Sequence, residues 1–413
     1  MVRTQNKAVQ RNQSLLQVCR LVRDFPSFGK VKYGIGPGLY NLTLQQERLG
    51  VAINVVSALA EGGPVYEDRG GVSIHRVRSP YNLFALGKIR ELGRQGKVDL
   101  VHAHATHGIS YALLRGMVLN RPFVVHVHDT TAGAVKGGEY TPFRLGLTAA
   151  LRERYIVEMA LTRQRLMWRK ADRLIAVCTS VADELNAYYS IPKERIRIVF
   201  NGVDPETFKP SPDKQRFRRE LGVEGDPVVL FVGHFGLRKG SHLLLKAAPA
   251  VLERFPRSQF VLVGGTPSFL GSDVHWKVLQ DLVTQSSISK HVRFVGTVPY
   301  DKVIRYYLAA DLFVLPTLYE GLPKVVLEAM ACGLPVVTTR VSGNTDAVVD
   351  GETGVLIEPR SVGQLRVAML DLLSDSELMA KMGSRGRRRV LEQFTWERAA
   401  KRVSEVYGEI LSR

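Results

Sequence analysis

The stretch whose reading decides the fold is Pro316-Thr317-Leu318-Tyr319-Glu320-Gly321-Leu322-Pro323-Lys324-Val325-Val326-Leu327-Glu328-Ala329-Met330-Ala331-Cys332-Gly333. Asp311-Leu312-Phe313-Val314-Leu315 precedes it and Pro335-Val336-Val337-Thr338 follows. Short continuous apolar runs of this kind belong to parallel strands buried on both faces. The segment between them reads as a short helix. Pro323 stands at its first turn, where a missing N–H costs nothing, and Gly333 closes it as a C-cap would. In a doubly wound sheet, ligands bind outside the carboxyl ends of the strands. Glu320 falls at such an end, and Glu328 follows eight positions later, within the helix. The exposed N–H groups of the helix start, near Lys324 and Val325, suit a phosphate or a sugar oxygen. Two hydroxyl-accepting carboxylates beside an anion site describe a nucleotide-sugar pocket. The plainer alternative is a capped strand–helix unit with two surface acids.

The alternation of strand and helix continues outward from this unit. Upstream, the strand Pro227 to Val232 leads into Gly233-His234-Phe235-Gly236-Leu237-Arg238-Lys239-Gly240 and a helix carrying Leu243, Leu244, Ala247 and Val251. Strands Gln259 to Val263 and His291 to Val295 end at Gly264-Gly265 and Gly296-Thr297-Val298-Pro299. Downstream, Gly351-Glu352-Thr353-Gly354 turns into the strand Val355 to Ile357, and helices with an Arg385, Arg387, Arg388, Arg389 cluster finish the chain. The first half shows the same order. Leu15 to Leu21 is a strand leading to Tyr33-Gly34-Ile35-Gly36-Pro37-Gly38, which opens a helix through Leu39, Leu42 and Leu49. Glycines there let backbone approach an anion, although glycine-rich turns are common. Val51 to Val56, Val72 to Val77, Val98 to His104, Pro122 to Asp129, Arg173 to Val177 and Ile196 to Phe200 follow as strands, before the turn Asn201-Gly202-Val203-Asp204-Pro205. Two successive arrays predict two doubly wound α/β domains facing across a cleft, residues 1–205 and 206–394. A last helix, 395–413, is expected to return to the first domain.

Composition bounds what such a chain does. Its 413 residues exceed one ordinary domain, and 45% hydrophobic with 23% charged residues is a globular balance. No apolar run approaches the ~18 residues of a spanning helix. The polar, basic Met1–Gln13 leads into Leu15–Val22, which Gln17 and Arg20 interrupt and which is too short for a signal peptide. Cys19, Cys178 and Cys332 are scattered and odd in number, reading as reduced core thiols of a cytoplasmic protein. Residues 1–205 carry 29 Lys and Arg against 16 Asp and Glu, +13 of the total +18. A basic half has affinity for something anionic: nucleic acid, lipid headgroups or a phosphorylated substrate. A long helical pattern, Phe143 to Ala171, holds Arg144, Arg152, Arg154, Arg163, Arg165, Arg169 and Lys170 with apolar Ile156, Met159, Ala160, Leu166 and Met167. It reads either as a helix lying on an anionic membrane or as a solvated face. Thr130 to Tyr140, with Gly133, Gly137 and Gly138, reads as a mobile loop. His102, His104 and His107 look like a metal cluster, but without a nearby carboxylate or Cys partner the reading as strand-end histidines is favoured. His126 and His128 share a strand face, and His128 falls at the carboxyl end, where a ligand would lie.

Taken together, Glu320-Gly321-Leu322-Pro323 and Glu328-Ala329-Met330-Ala331 resemble the E-x7-E motif of retaining glycosyltransferases of family four, the glycosyl transferases group 1. Other landmarks agree with that resemblance. They are Gly34-Ile35-Gly36 with Tyr40-Asn41-Leu42 and Gly50, then Asn201-Gly202-Val203-Asp204, then Phe294-Val295-Gly296 with Pro299, Ala310-Asp311, and Gly351-Glu352-Thr353-Gly354. The resemblance covers nearly the whole chain. It implies the GT-B arrangement, two Rossmann-like domains with the active site between them.

The resemblance also implies roles. Lys239, Glu320 and His128 would carry the chemistry. Lys239 would bind the donor diphosphate and stabilise the charge of the leaving group. Glu320, with Gly321 beside it and the N–H groups of Lys324 and Val325, would contact the transferred sugar. Glu328 would accept hydrogen bonds from the ribose, and Thr297 and Val298 would border the nucleobase. Gly34 and Gly36 would let the first loop approach the diphosphate, and His128 would stand near the donor sugar and acceptor. Two positions depart from the pattern: Tyr33-Gly34 replaces paired glycines, and Gly233-His234 replaces Gly-Arg. Arg238 is then the candidate for the missing fixed charge, and a titrating His234 would add a pH dependence near neutrality. No Asp-x-Asp occurs in the chain, so neither metal nor cofactor is expected. The expected activity is transfer, with retention, from a UDP-, GDP- or ADP-type sugar to a hydroxyl acceptor, lipid-linked or glycan, at the cytoplasmic face of a membrane. The alternatives are a synthase of a small soluble glycoside and a non-catalytic binding protein. Nucleic acid is disfavoured, because no basic segment with interleaved aromatics is present.

Overall fold

A computed structural model describes residues 15–27, 35–137, 147–266 and 272–412. The first half runs β1 (Leu16–Leu21), α1 (Ile35–Arg48), β2 (Val51–Ala58), β3 (Tyr66–Arg69), β4 (Val72–Val77), α2 (Tyr81–Arg94), β5 (Leu100–His104), α3 (Ile109–Val118), β6 (Phe123–Val127), α4 (Thr131–Lys136), α5 (Leu147–Lys170), β7 (Arg173–Ala176), α6 (Thr179–Tyr189) and β8 (Ile196–Ile198). The second runs α7 (Lys214–Leu221), β9 (Val228–Val232), α8 (Ser241–Arg254), β10 (Gln259–Val263), α9 (Ser272–Gln285), β11 (Val292–Gly296), α10 (Tyr300–Ala309), β12 (Leu312–Leu315), α11 (Lys324–Ala331), β13 (Val336–Thr339), α12 (Asn344–Ala347), β14 (Val355–Ile357), α13 (Val362–Ser374), α14 (Ser376–Gln393) and α15 (Trp396–Leu411).

Two sheets result, ordered β3-β4-β2-β1-β5-β6-β7-β8 and β11-β10-β9-β12-β13-β14. Every pairing is parallel except β3 with β4. Each sheet has a point where the chain leaves its starting strand on one side and later returns to the other. In the first sheet this lies between β1 and β5, and in the second between β9 and β12. At such points the crossover helices diverge and open a crevice at the strands' carboxyl ends.

The central strands are buried on both faces, which is why they read as unbroken apolar runs. One face of the first sheet is covered by the end of the chain. Trp396, Ala400, Val403, Val406 and Tyr407 of α15 pack with Leu39 and Leu42 of α1 against Val18, Ile53, Val55 and Val124. Arg20, which interrupts the apolar pattern of β1, is wholly buried there. Its guanidinium donates to Thr43 Oγ1 and Gln46 Oε1 of α1 and lies 3.5 Å from the Tyr407 hydroxyl.

Two local expectations change. The strip Tyr66–Arg69 is a strand, antiparallel at the outer edge; its exposed polar sequence YEDR gives no apolar signal. The segment from Thr130 is not a mobile loop up to Gly137. It forms α4, capped by the Thr130 side chain accepting from Gly133 N–H. A Cβ at Gly133 or Gly137 would lie about 2.5 Å from Tyr319 atoms, so these glycines serve close packing. Gly138, Tyr140 and Arg144 lie outside the described residues. Among the described residues, no helix is long and apolar enough to cross a membrane.

Candidate active site

The crevice of the second sheet is built by the loops after β9 and β12. Lys239 ends the single 3-10 turn Leu237–Lys239 after β9. Gly240 follows with φ +74°, and a Cβ there would sit 1.9 Å from the Pro316 carbonyl oxygen, so only glycine lets the two loops meet. Lys239 Nζ is 2.6 Å from Glu320 Oε1, and Thr317 Oγ1 is 2.9 Å from the same oxygen. Burial pushes the Glu320 carboxyl up, but Lys239 and then Arg238 outweigh it, and the net shift is downward. Glu320 is therefore an ionised, paired carboxylate, 6% exposed.

Glu328 lies on the inner face of α11. Tyr300 and Tyr307 donate to its two oxygens at 3.2 and 2.9 Å. Burial raises its pKa against the pull of Lys324 and both tyrosines. The Lys324 side chain, which sequence reasoning valued only for its backbone N–H, reaches across the cleft: its ammonium is 3.3 Å from where a Cβ on Gly38 of α1 would stand. Burial, reinforced by Lys239 and opposed by Glu328, lowers its pKa to about 8. The N-cap of α11 is Pro323, and the Val325 amide finds no acceptor among the described residues.

The first sheet contributes the opposite wall. Gly321 touches the His128 backbone, where an added Cβ would lie 1.9 Å from the carbonyl oxygen. His128 follows β6, and its Nε2 is 3.1 Å from His104 Nδ1. His104 stacks on His102 at 4.5 Å between centroids, and His126 on His128 at 4.8 Å. His102 Nδ1 is 2.5 Å from the Tyr407 hydroxyl. Burial drives all four rings to the neutral form, His128 down to about 3. His102 and His104 come together with His126, not with His107: ring nitrogens of His102, His104 and His126 lie within 4.8 Å of one another. Their planes differ by only 5–27°, so in-plane lone pairs run side by side instead of converging on a point.

Between the walls lies a cavity of about 120 Å³, lined by Gly38, His128, Arg238, Glu320, Gly321 and Lys324. Asn201 of the Asn201-Gly202-Val203-Asp204 turn also lines it, as do Asp129 and Trp396, which were not singled out from sequence. Asp129 is open to the cavity yet enclosed by protein, and burial raises its pKa against Arg238 and Lys239. His128 is shared with a larger cavity of about 750 Å³ along the first sheet, whose wall includes Asp24, Glu61 and Arg76.

The remaining candidates are spread over the cleft. Gly36 lines that larger cavity, and Gly38 takes the position facing Lys324; Gly34 lies outside the described residues. Thr297 and Val298 stand after the outer strand β11, away from the central cavity, with Thr297 against Gly265 and Val298 just before Tyr300. His234 does not titrate near neutrality. Burial first, then Lys239 and Arg238, drive it to about 3, and its Nδ1 accepts the Gly236 N–H at 3.2 Å, leaving a neutral Nε2–H donor. Arg238, whose guanidinium is 3.4 Å from the Tyr319 carbonyl, holds the fixed charge at the cavity.

Comparison with known proteins agrees with this geometry. Residues 33–207 match the family described as Glycosyltransferase Family 4, and residues 213–389 that described as Glycosyl transferases group 1. The D-inositol 3-phosphate glycosyltransferase of Corynebacterium efficiens is 30% identical over 373 residues, 88% of this chain and 83% of that protein. The GDP-mannose-dependent alpha-(1-6)-phosphatidylinositol monomannoside mannosyltransferase of Mycolicibacterium smegmatis is 33% identical over 213 residues, 50% of this chain and 54% of that protein. The solved structure of sucrose-phosphate synthase from Thermosynechococcus elongatus superposes with a TM-score of 0.78 at 23% identity, covering 96% of this chain and 99% of that one. The chain belongs to glycosyltransferase family 4 and has the GT-B fold.

Proposed function

We propose that this glycosyltransferase moves a sugar from a nucleoside-diphosphate sugar to a hydroxyl of a lipid-linked or glycan acceptor at the cytoplasmic face of a membrane, with retention and without metal. The observation that carries this reading is the Lys239–Glu320 pair at the β9/β12 crevice, with Glu328 behind it and His128 across the cleft. Lys239, Arg238 and the start of α11 present positive potential to a diphosphate, and Glu320 and Glu328 present oxygens to sugar and ribose hydroxyls. Thr297 and Val298 border the base next to Tyr300. The C1–phosphate bond breaks, the acceptor oxygen bonds to C1 from the same face, and the acceptor proton passes to the leaving phosphate oxygen. The cations stabilise the charge that builds there. Glu320, held in its ion pair, positions hydroxyls and is not the nucleophile. His128 stays neutral and offers a hydrogen bond where donor and acceptor meet.

The acceptor side carries the membrane part of the reading. The helices α2, α3 and α5 pack in succession. They expose Leu83, Phe84, Leu113, Met117, Tyr155 and Met159 together with Arg152, Arg163 and Arg165. Apolar residues among arginines suit an anionic bilayer surface. A soluble acceptor is the second reading, favoured by the full-length relatives that are named for inositol 3-phosphate.

Thermal shift against UDP, GDP and ADP and their sugars tests the donor site, with Lys239→Ala alongside. A ligand at ~100 times its Kd adds about 2.7 kcal/mol of apparent stability. One nucleotide class should stabilise the parent and not the variant; no response at millimolar nucleotide refutes the donor assignment. Cosedimentation with anionic and neutral vesicles then separates the two acceptor readings, since a soluble-acceptor enzyme has no reason to prefer the anionic ones.

A further inference from the structure

The cavities form a series along the carboxyl edge of the first sheet. The 750 Å³ cavity beside His128 shares Ala58 and His107 with a third, of about 460 Å³. The third is walled by Arg23 after β1, Arg163 of α5, Thr106 and His107 after β5, and Ser79 and Asn82 at the start of α2. Among the described residues no Asp or Glu lines it. Neither guanidinium has a hydrogen-bond or ion-pair partner among the described residues. His107 Nδ1 accepts the Arg23 backbone N–H at 3.2 Å, so the neutral ring keeps Nε2–H as a donor. Burial lowers the His107 pKa, and Arg23 and Arg163 push the same way against Asp24 of the neighbouring cavity. The first turn of α2 contains no acid and its N-cap, Pro80, supplies no side-chain acceptor, so the helix start adds to the positive potential. Two forked guanidiniums, an imidazole donor, hydroxyls and an amide, with no counter-ion among the described residues, form a seat for a tetrahedral oxyanion.

We propose that this third cavity binds a phosphate group carried by the acceptor, whose reacting hydroxyl lies in the middle cavity beside His128. The inference rests on the proposed glycosyl transfer, in which donor and acceptor meet at His128. It makes the acceptor a phosphorylated polyol, in which the phosphate stands apart from the hydroxyl that receives the sugar. That phosphate is either a soluble monoester or the diester of a lipid headgroup.

The test is calorimetric binding of inorganic phosphate, myo-inositol 1-phosphate and unphosphorylated myo-inositol, and cosedimentation with phosphatidylcholine vesicles with and without phosphatidylinositol. The proteins are the full chain, Arg23→Ala, Arg163→Ala and Arg163→Lys. The phosphorylated probes should bind at least tenfold tighter than the polyol. Each alanine variant should lose about tenfold, as for one charge-assisted hydrogen bond, and Arg163→Lys should recover part of it. Arginine-dependent binding of the soluble probes identifies a free phosphate, and of phosphatidylinositol vesicles alone a headgroup. If no probe binds in an arginine-dependent way, the proposal is wrong. Nucleoside-diphosphate binding is followed in the same samples, with Lys239→Ala as its control. Its failure overturns the donor reading, whereas the anion seat stands or falls on the arginine variants alone.

Discussion

On the second-sheet wall of the cleft, the buried Glu320 and Glu328 interact with the half-buried Lys239 and Lys324, with Arg238 beside them. On the first-sheet wall, the buried His102, His104 and His126 and the half-buried His128 form a stack of neutral rings. Both walls stand at the switch points of their sheets, so topology alone does not distinguish them. Their electrostatics do. Fixed charge belongs where a diphosphate leaves and negative charge accumulates. A neutral wall belongs where an uncharged hydroxyl must approach a sugar and where a stray cation would compete with that charge centre.

The comparison breaks first at Lys239. Lys239→Ala removes the cation nearest Glu320, and kcat should fall by about 10²–10³-fold, the range for one electrostatic contact to a developing oxyanion. His128→Ala on the neutral wall should cost less, about tenfold. Steady-state kinetics with the donor found by thermal shift decides it. A His128 effect larger than the Lys239 effect would place the charge chemistry on the wrong wall. Because Lys239→Ala also leaves Glu320 buried without its partner, Lys239→Ala/Glu320→Gln should regain thermal stability but not turnover.

Glu328 sharpens the comparison within its own wall. Its carboxylate has about four lone-pair sites and the two tyrosines use two, so a ribose can still be accepted. Glu328→Ala should weaken donor binding by about tenfold or more, as loss of a hydrogen bond to a charged group does. Glu328→Gln should keep Tyr300 and Tyr307 satisfied and lose less stability. Equilibrium titration with the nucleotide reads both; unchanged donor affinity in Glu328→Ala would remove the ribose role.

The charged wall was the legible one. Glu320 and Glu328 belong to one strand–loop–helix unit and Lys239 to another, each at a fixed distance from a strand end, and the sheet order sets both units on one crevice. The neutral wall was read only in part. His104 and His126 belong to different strands, and only the pairing of β5 with β6, which sets His104 opposite His126, brings them together. Sequence proximity suggested His107 instead, which the turn after β5 carries to another cavity. Lys324 was undervalued because its reach to Gly38 depends on how the two halves face each other. The edge strand β3 escaped notice because an exposed strand needs no apolar face. Asp129 and Trp396 lie far along the chain on either side of Glu320 and Lys324, and only the closed cleft makes them neighbours.

The smallest effect concerns the neutral wall and its response to acid. Burial is the first cause of the lowered pKa at each of the four histidines. The folded stack therefore stays unprotonated at a pH where the unfolded chain, with histidines near 6.5, takes up protons. Below pH 6.5 the unfolded state binds more protons, so stability falls with pH. Each histidine contributes a slope of at most about 1.4 kcal/mol per pH unit until its folded pKa is reached. On the charged wall, Glu320, with its pKa lowered below 4.5, loses its contribution only as pH falls below that value, whereas the raised Glu328 carboxyl takes up its proton earlier in the folded state. Thermal stability should thus decline between pH 6.5 and 5 while Glu320 is still ionised, with the raised carboxyls of Glu328 and Asp129 acting in the opposite sense. His126, whose two ring nitrogens have no partner among the described residues, is the position to change, because an apolar side chain strands no hydrogen-bonding group. His126→Leu should flatten the decline by one histidine's share without lowering stability at pH 7.5. A slope identical to the parent's would show that the acid response arises elsewhere and that the stack is not held neutral at the expense of folding.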